Sequence, residues 1–437
     1  MKALPRRDAL AWLATGLAGL SPATRARAAS SCATAGLQGQ IALVANSFPA
    51  LQHLAKVAEG CGSRDFRVNF KLTPQVQTEV ELAFGSAGRS PFDAAVVSQS
   101  VFNKLFSRNQ LFTMTDLVRR FGADHGLEER MLVRVNGEVM AIAFMQNTQH
   151  LYYRQDLFQK HRLTVPTSYP EMVAAAQVLR EHELEMPYPV AQTFSKGWDL
   201  ATEFTNMLPS LGGRFFEPAS AEPAFQGDAG VQAVAVMRSV LPYMTPNALS
   251  ATSDDVMNQL QQGKAAMGVL WASRAARMDD PAASRVVGKI GFAAAPAARA
   301  GGASASHLWW DGVAMPRRGG ANREAVFRVL MEMLEPDTVR SGNDLAIWVH
   351  SNYQPGRAGV GVGLAQKAGA PVWPGEPFFS LAHGQLGKVL ADAVSGKRDT
   401  REVLAGAAAA YREVAVEQGY LKPVKPAMPM KPPKVPA

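Results

Sequence analysis

Strand and helix patterns alternate through the start of the chain's body, and this restricts its fold more than any other feature. Ile41–Val44 is a short apolar run, and Phe48–Ala58 places Leu51, Leu54, Ala55 and Ala58 on one helical face. Phe66, Val68, Phe70 and Leu72 alternate as in a strand, and a helix is predicted over Thr78–Phe84. Phe92–Val97 reads as another strand and Gln99–Phe106 as another helix. A βαβα order implies a mainly parallel sheet with helices on both faces. Such sheets bind ligands beyond the carboxyl ends of their strands, here near Asn46-Ser47-Phe48, Pro74-Gln75 and Ser98-Gln99.

The chain has 437 residues, more than one core usually organises, so two lobes are expected. A second unit starts near residue 148. Leu151–Tyr153 reads as a strand, Arg154–His161 as a helix, and Ser168-Tyr169-Pro170-Glu171 as a capped helix start. Pro187–Ala191 and Gly263–Trp271 are further strand candidates, and Gly359–Gly363 reads as a loop.

Both ends read differently from the middle. Lys2, Arg6 and Arg7 precede an apolar stretch, Ala9–Leu20, too short for a membrane span of ~30 Å. Ala26-Arg27-Ala28 then offers a cleavage site, so residues 1–28 are expected to be an export signal. The adjacent arginines loosely resemble a twin-arginine signal. Residues 422–437 form a Lys/Pro-rich tail, expected to be extended and disordered.

The formal charge is +8, yet the excess lies wholly in these two ends, since basic and acidic residues between them are equal in number. The body lacks the basic stripe that nucleic-acid binding requires, and no nucleic-acid partner is expected. Cys32 and Cys61, the only cysteines, are a disulfide candidate in an oxidising compartment, with lipid attachment at Cys32 as an alternative.

No catalytic or metal signature appears. The histidines show no HExxH and no paired metal spacing, there is no G-x-S-x-G, and Gly263-Lys264 precedes Ala265 where a P-loop needs a hydroxyl. The chain is not expected to be an enzyme, and no cofactor or metal is expected.

Several segments resemble the extracellular solute-binding proteins of ABC importers, in the sugar-binding group that includes maltose-binding protein. Tyr152–Phe158 (YYRQDLF) resembles that family's YYN-K-D-L-F segment, Leu163–Met172 (LTVPTSYPEM) its GL-x-x-P-P-T-T-W-D-E-L, and Gly263–Met267 its G-K-A-A-M. Pro91–Ala94 is similar to its P-D-V, and Ser395–Thr400 to the G-x-x-T before its last helix. Arg154, Gln155, Tyr169 and Pro170 depart from the pattern at helix starts.

The resemblance implies an α/β, two-lobed periplasmic-binding-protein fold of type II, each lobe a mainly parallel sheet flanked by helices, joined by a hinge. The first lobe would span 37–146 and 309–352, the second 149–303 and 356–421, with crossings near Gln146–Gln149 and Ala303–Leu308. It also implies a monomeric periplasmic protein that captures a sugar, oligosaccharide or polyol and delivers it to ABC permease subunits. The alternatives are a same-fold periplasmic sensor or accessory subunit of a redox enzyme, and an exported carbohydrate-active enzyme.

Aromatic rings stack on the apolar faces of sugars, and planar polar groups grip their hydroxyls. The candidates for ligand contact are Asn46, Phe48, Gln75, Gln99 and Gln146 at strand ends and the first crossing, and Trp198 and Trp271 in the second lobe. Trp310 and Asp311 follow at the return crossing, then Trp348 and Asn352. Trp309, Trp373, Phe378 and Phe379 lie nearby. Each also has an ordinary role open to it, since large aromatics are commonly buried and short polar side chains commonly fold back on turns.

Overall fold

The computed structural model describes residues 32, 37–320 and 322–422. The expected export signal, and the expected tail beyond Lys422, lie outside the described residues.

The strands are β1 (Gly39–Ala45), β2 (Phe66–Leu72), β3 (Ala94–Ser98), β4 (Leu132–Val135), β5 (Glu138–Asn147), β6 (Gln149–Arg154), β7 (Val190–Gln192), β8 (Met267–Trp271), β9 (Ile290–Ala294), β10 (Trp309–Ala314) and β11 (Ile347–Trp348). They form two sheets. One has seven strands in the order β11-β5-β10-β3-β1-β2, with β4 paired to β5; the other has four, β7-β8-β6-β9. This is the two-lobed α/β architecture.

The expected parallel pairing holds only in part. β1 is parallel to β2 and β3, and β7 to β8, while the other pairs are antiparallel. A hairpin through Asn136-Gly137 makes the β4–β5 pair, and two connections between the sheets account for most of the rest. β5 passes straight from the large sheet into β6 of the small one, with only Thr148 between, and the chain returns from β9 to β10 over residues 295–308. A strand that enters a sheet from the neighbouring lobe does so without a crossover helix, and a parallel pair needs one.

Both faces of the large sheet are covered at its centre, so its central strands are apolar on both sides, while the edge strand β2 alternates. Leu43, Val96, Ile142 and Val313 face one core; Val44, Val97, Ala141 and Ala314 face the other. In the small sheet Leu151, Met267 and Val269 face the larger core, against helices Tyr169–His182, Trp198–Ser210, Asp228–Val240, Phe379–Val394 and Thr400–Glu417. Tyr152 and Leu270 face a smaller one.

The helix at Tyr169 is capped as its sequence predicts: Ser168 Oγ accepts from Glu171 N. The Glu171 carboxylate turns to the Thr167 amide and hydroxyl, at 2.8 and 2.9 Å. One local reading is corrected. The glycine-rich stretch taken as a loop forms helix Val360–Lys367. Gly361 serves close packing, because a Cβ there would stand 2.0 Å from His150 Nδ1, while Gly363 faces open space.

Cys32 and Cys61 form a disulfide, with their Cα atoms 5.2 Å apart. It fastens the segment before β1 to the end of helix Pro49–Gly60.

Candidate functional site

Residues two apart on a strand share a face. Trp309 and Asp311 therefore point one way from β10, and Trp310 the other. Trp310 packs edge-on against Phe102, with ring centroids 5.3 Å apart, in the core behind the large sheet. Trp309 instead meets the second lobe, where it joins Trp198, Trp271 and Trp373.

Each of these partners is placed by its backbone. Trp271 ends β8, opposite Gln149 of β6. Trp373 is held by its amide, which donates to Leu308 O at 2.9 Å. Trp198 opens a helix after Gly197, whose φ of +95° is one that side-chain-bearing residues rarely adopt. Gly387 lies against Gly197, where a Cβ would meet the Gly197 carbonyl oxygen at 2.8 Å.

The indoles form a cluster. Trp198 lies roughly parallel to Trp271 and Trp373, with centroids 6.2 and 6.4 Å apart, and Trp309 sets its edge against all three. Trp309 is 9% exposed and Trp373 3%, while Trp198 is 44% exposed and presents its ring to solvent. His383 lies 5.7 Å from both Trp198 and Trp373. Its imidazole is pushed down to about 3 by burial, so it is neutral.

Polar groups surround the rings. Gln99, at the end of β3, is buried; its Nε2 donates to Trp373 O at 3.4 Å and its Oε1 has no partner. Trp373 Nε1 is also buried without a partner. Asp311 is pushed up to about 7, chiefly by desolvation, which the Trp309 side-chain hydrogen bond partly offsets. Burial raises Asp199, beside Trp198, to about 6, against a hydrogen bond from Ser195. Glu203, one turn further along that helix, is pushed up to about 8 by burial, against hydrogen bonds from Gln192 and Gln149. No residue described forms an ion pair with Asp199, Glu203 or Asp311.

A buried polar network joins this helix to both connections between the sheets. Gln149 Nε2 donates to Glu203 Oε1 at 2.9 Å, and Asn206 Nδ2 to Gln149 Oε1 at 2.5 Å. His307 Nδ1 lies 2.9 Å from Asn206 Oδ1, an acceptor, which selects the Nδ1–H tautomer. The Ser306 hydroxyl donates to Gln149 O at 2.6 Å, which makes Thr148 the donor in the 2.6 Å Thr148–Ser306 contact.

Of the sequence candidates, Gln99, Trp198, Trp271 and Asp311 come together here. Gln146 pairs with Trp310 and shares its face, while Asn147 pairs with Trp309 and reaches Ser273 Oγ at 3.2 Å. Asn46 is exposed and its side chain accepts from the Ser47 amide; Gln75 accepts from Thr73 Oγ1. Phe48 packs on the first-lobe core. Trp348 is buried in that core, its indole N–H donating to Gly342 O at 2.9 Å. Asn352 is exposed beside His350. Trp309 and Trp373, named in the sequence as lying nearby, belong to the cluster itself, and His383, Asp199 and Glu203, which no sequence signal marks, complete it. The period-two alternation of β10 was a signal for Trp309, since Trp310 and Asp311 cannot both face one ligand.

Two other features stand apart from the cluster. A depression of about 550 Å³ is lined by Phe84, Ser86, Arg108, Gln110, Arg317 and Arg318. His125, Glu332 and Glu335 bring potential metal-ligating atoms within 4.8 Å of one another, with His125 Nδ1 2.9 Å from Glu335 Oε1.

Residues 87–339, more than half of the chain, match the family described as Bacterial extracellular solute-binding protein. The chain belongs to this family. Among solved structures, this solute-binding protein is similar in fold to the ABC transporter solute-binding protein of Agrobacterium vitis S4 with bound D-mannitol. The two share 18% identity, with a TM-score of 0.74 over 88% of this chain and 100% of that one. The solute-binding protein of Agrobacterium radiobacter K84 in complex with ribitol has 20% identity and a TM-score of 0.71 over 86% and 99%. Maltose-bound MalE3 of T. maritima has 16% identity and a TM-score of 0.73 over 86% and 99%. No helix among the described residues is long and apolar enough to cross a membrane.

Proposed function

We propose that this solute-binding protein captures a small sugar or polyol between its two sheets, in the periplasm, and delivers it to the permease of an ABC importer. The observation that carries the reading is the tryptophan cluster. Trp309 from the large sheet meets Trp198, Trp271 and Trp373 from the other lobe, with Asp311, the Gln99 acceptor and the Trp373 donor around them. Indole faces stack on the C–H surface of a sugar ring, and unpaired buried donors and acceptors gain most from hydroxyl partners. The similar folds that bind mannitol, ribitol and maltose support this ligand class. The Cys32–Cys61 disulfide supports an oxidising compartment.

The test is thermal unfolding of the exported form, denatured and refolded to strip carried ligand, against sugars, polyols and amino acids. A ligand at about a hundredfold over its Kd adds about 2.7 kcal/mol, a clear rise in midpoint. A rise confined to amino acids, or none at all, would sink the reading and favour a periplasmic sensor or an accessory subunit.

A further inference from the structure

We propose that the solute held at the tryptophan cluster is a cation, namely a sugar or polyol that carries an ammonium group. The inference rests on the capture reading above and narrows its ligand class.

The argument starts from charge. Asp311 shares the cluster-facing side of β10 with Trp309 and takes a hydrogen bond from its indole. Asp199 follows Trp198 in the helix, and Glu203 lies one turn on. The cluster is thus flanked by carboxyl groups on both lobes. None of the basic groups among the described residues pairs with these acids. Arg274 pairs with Asp254 at 3.1 Å and Arg357 with Asp279 at 3.0 Å, while Lys196, on the loop before Trp198, is exposed and makes no ion pair. With a neutral ligand Asp311 and Asp199 relieve their burial by holding protons, whereas a cation between them favours the ionised form of both and gains two charge-assisted partners.

An ammonium group supplies what is missing. It is a counter-ion for Asp311 and Asp199, and the ring quadrupole of tryptophan attracts it further. The open face of Trp198 offers such a contact. The remaining unpaired groups, Gln99 Oε1 and Trp373 Nε1, suit hydroxyls, one as acceptor and one as donor. Together the three kinds of group match a hydroxylated skeleton with one amine.

Matched pairs test this by titration calorimetry on the refolded exported protein at neutral pH: D-glucosamine against D-glucose, and N-methyl-D-glucamine against D-glucitol. The ammonium member of at least one pair should bind about tenfold tighter than its neutral twin. Added salt should narrow that gap. Asp311→Asn and Asp199→Asn should each reduce the preference toward parity while leaving the thermal midpoint of the free protein intact or raised. Equal or tighter binding of the neutral members overturns the cation assignment and leaves sugar capture standing. Failure of all four probes overturns the assignment too, and the wider ligand panel then decides whether capture falls with it.

Discussion

The side-chain amide of Gln149 donates to the carboxyl of Glu203 over 2.9 Å, and this bond joins the strand that enters the second lobe to the helix that begins at Trp198. Gln192 Nε2 donates to the other oxygen of Glu203, also at 2.9 Å, and to Tyr169 OH, while Gln192 Oε1 has no partner. Turning the Gln192 amide by a half-rotation gives that oxygen two donors, the tyrosine hydroxyl and a protonated Glu203. Glu203→Gln preserves this pattern, with its own amide as the donor. Glu203→Ala strands the amides of Gln149 and Gln192, and should cost about 1–3 kcal/mol in denaturant unfolding. Equal stability of the two variants would contradict the arrangement.

The pH dependence of stability follows from the same burial. Glu203 is raised to about 8 and Asp311 to about 7, so the folded state holds these protons more tightly than the unfolded chain. Their contribution is complete in acid and is lost as pH rises toward those values. His150, His307 and His383 are lowered to about 3 by burial, and their contribution is lost as pH falls below the ordinary histidine range. The free protein should therefore be most stable in mildly acidic to near-neutral buffer, with its urea midpoint falling on either side. Glu203→Gln should flatten the alkaline fall and leave the acid limb unchanged.

Trp309 and Trp198 should separate stability from binding. Trp309→Ala removes a buried indole that touches three others, and should cost about 3–5 kcal/mol. Trp198→Ala removes a ring that is 44% exposed, and should weaken ligand-induced stabilisation far more than it lowers the midpoint of the free protein. Denaturation with and without saturating ligand reads both effects.

Reduction of the Cys32–Cys61 bond should lower stability by about 3 kcal/mol, through release of the loop it closes. Melting with and without reductant, alongside the paired Cys32→Ala and Cys61→Ala variant, measures it. The variant should be insensitive to reductant.

Gly361→Ala should destabilise the second lobe, because the new methyl would stand 2.0 Å from His150 Nδ1 on a buried ring with nowhere to move. Gly363→Ala, two residues on and open to space, is the control and should melt near the parent. Parallel thermal melts compare them.

The fold was legible because its signals are local and repeated. Phe66–Leu72 alternates without interruption and forms β2 over those same residues. The glycines at 359–363 misled because backbone freedom and close packing leave the same mark in a sequence, and only His150 reveals which applies. The aromatic site was half legible. Tandem tryptophans flagged β10, but choosing Trp309 over Trp310 required knowing which face of the strand met the second lobe. Trp348 was unreadable as core, because its two-residue strand is too short to show alternation. Asp199 and Glu203 gave no pattern at all; their interest comes from burial, which depends on the whole lobe.

A single residue, Thr148, separates β5 from β6, so the link between the sheets there has no slack. One residue spans at most about 3.6 Å, too little to let two bodies slide past one another. Any displacement of one sheet relative to the other would, at this connection, be a pivot near Thr148, taken up by small backbone rotations at 147–149. The hydroxyls of Thr148 and Ser306 are in hydrogen-bond contact there and tie the two connections together. A bulky substitution there would change the angle set between the sheets and leave the residues of the tryptophan cluster as they are.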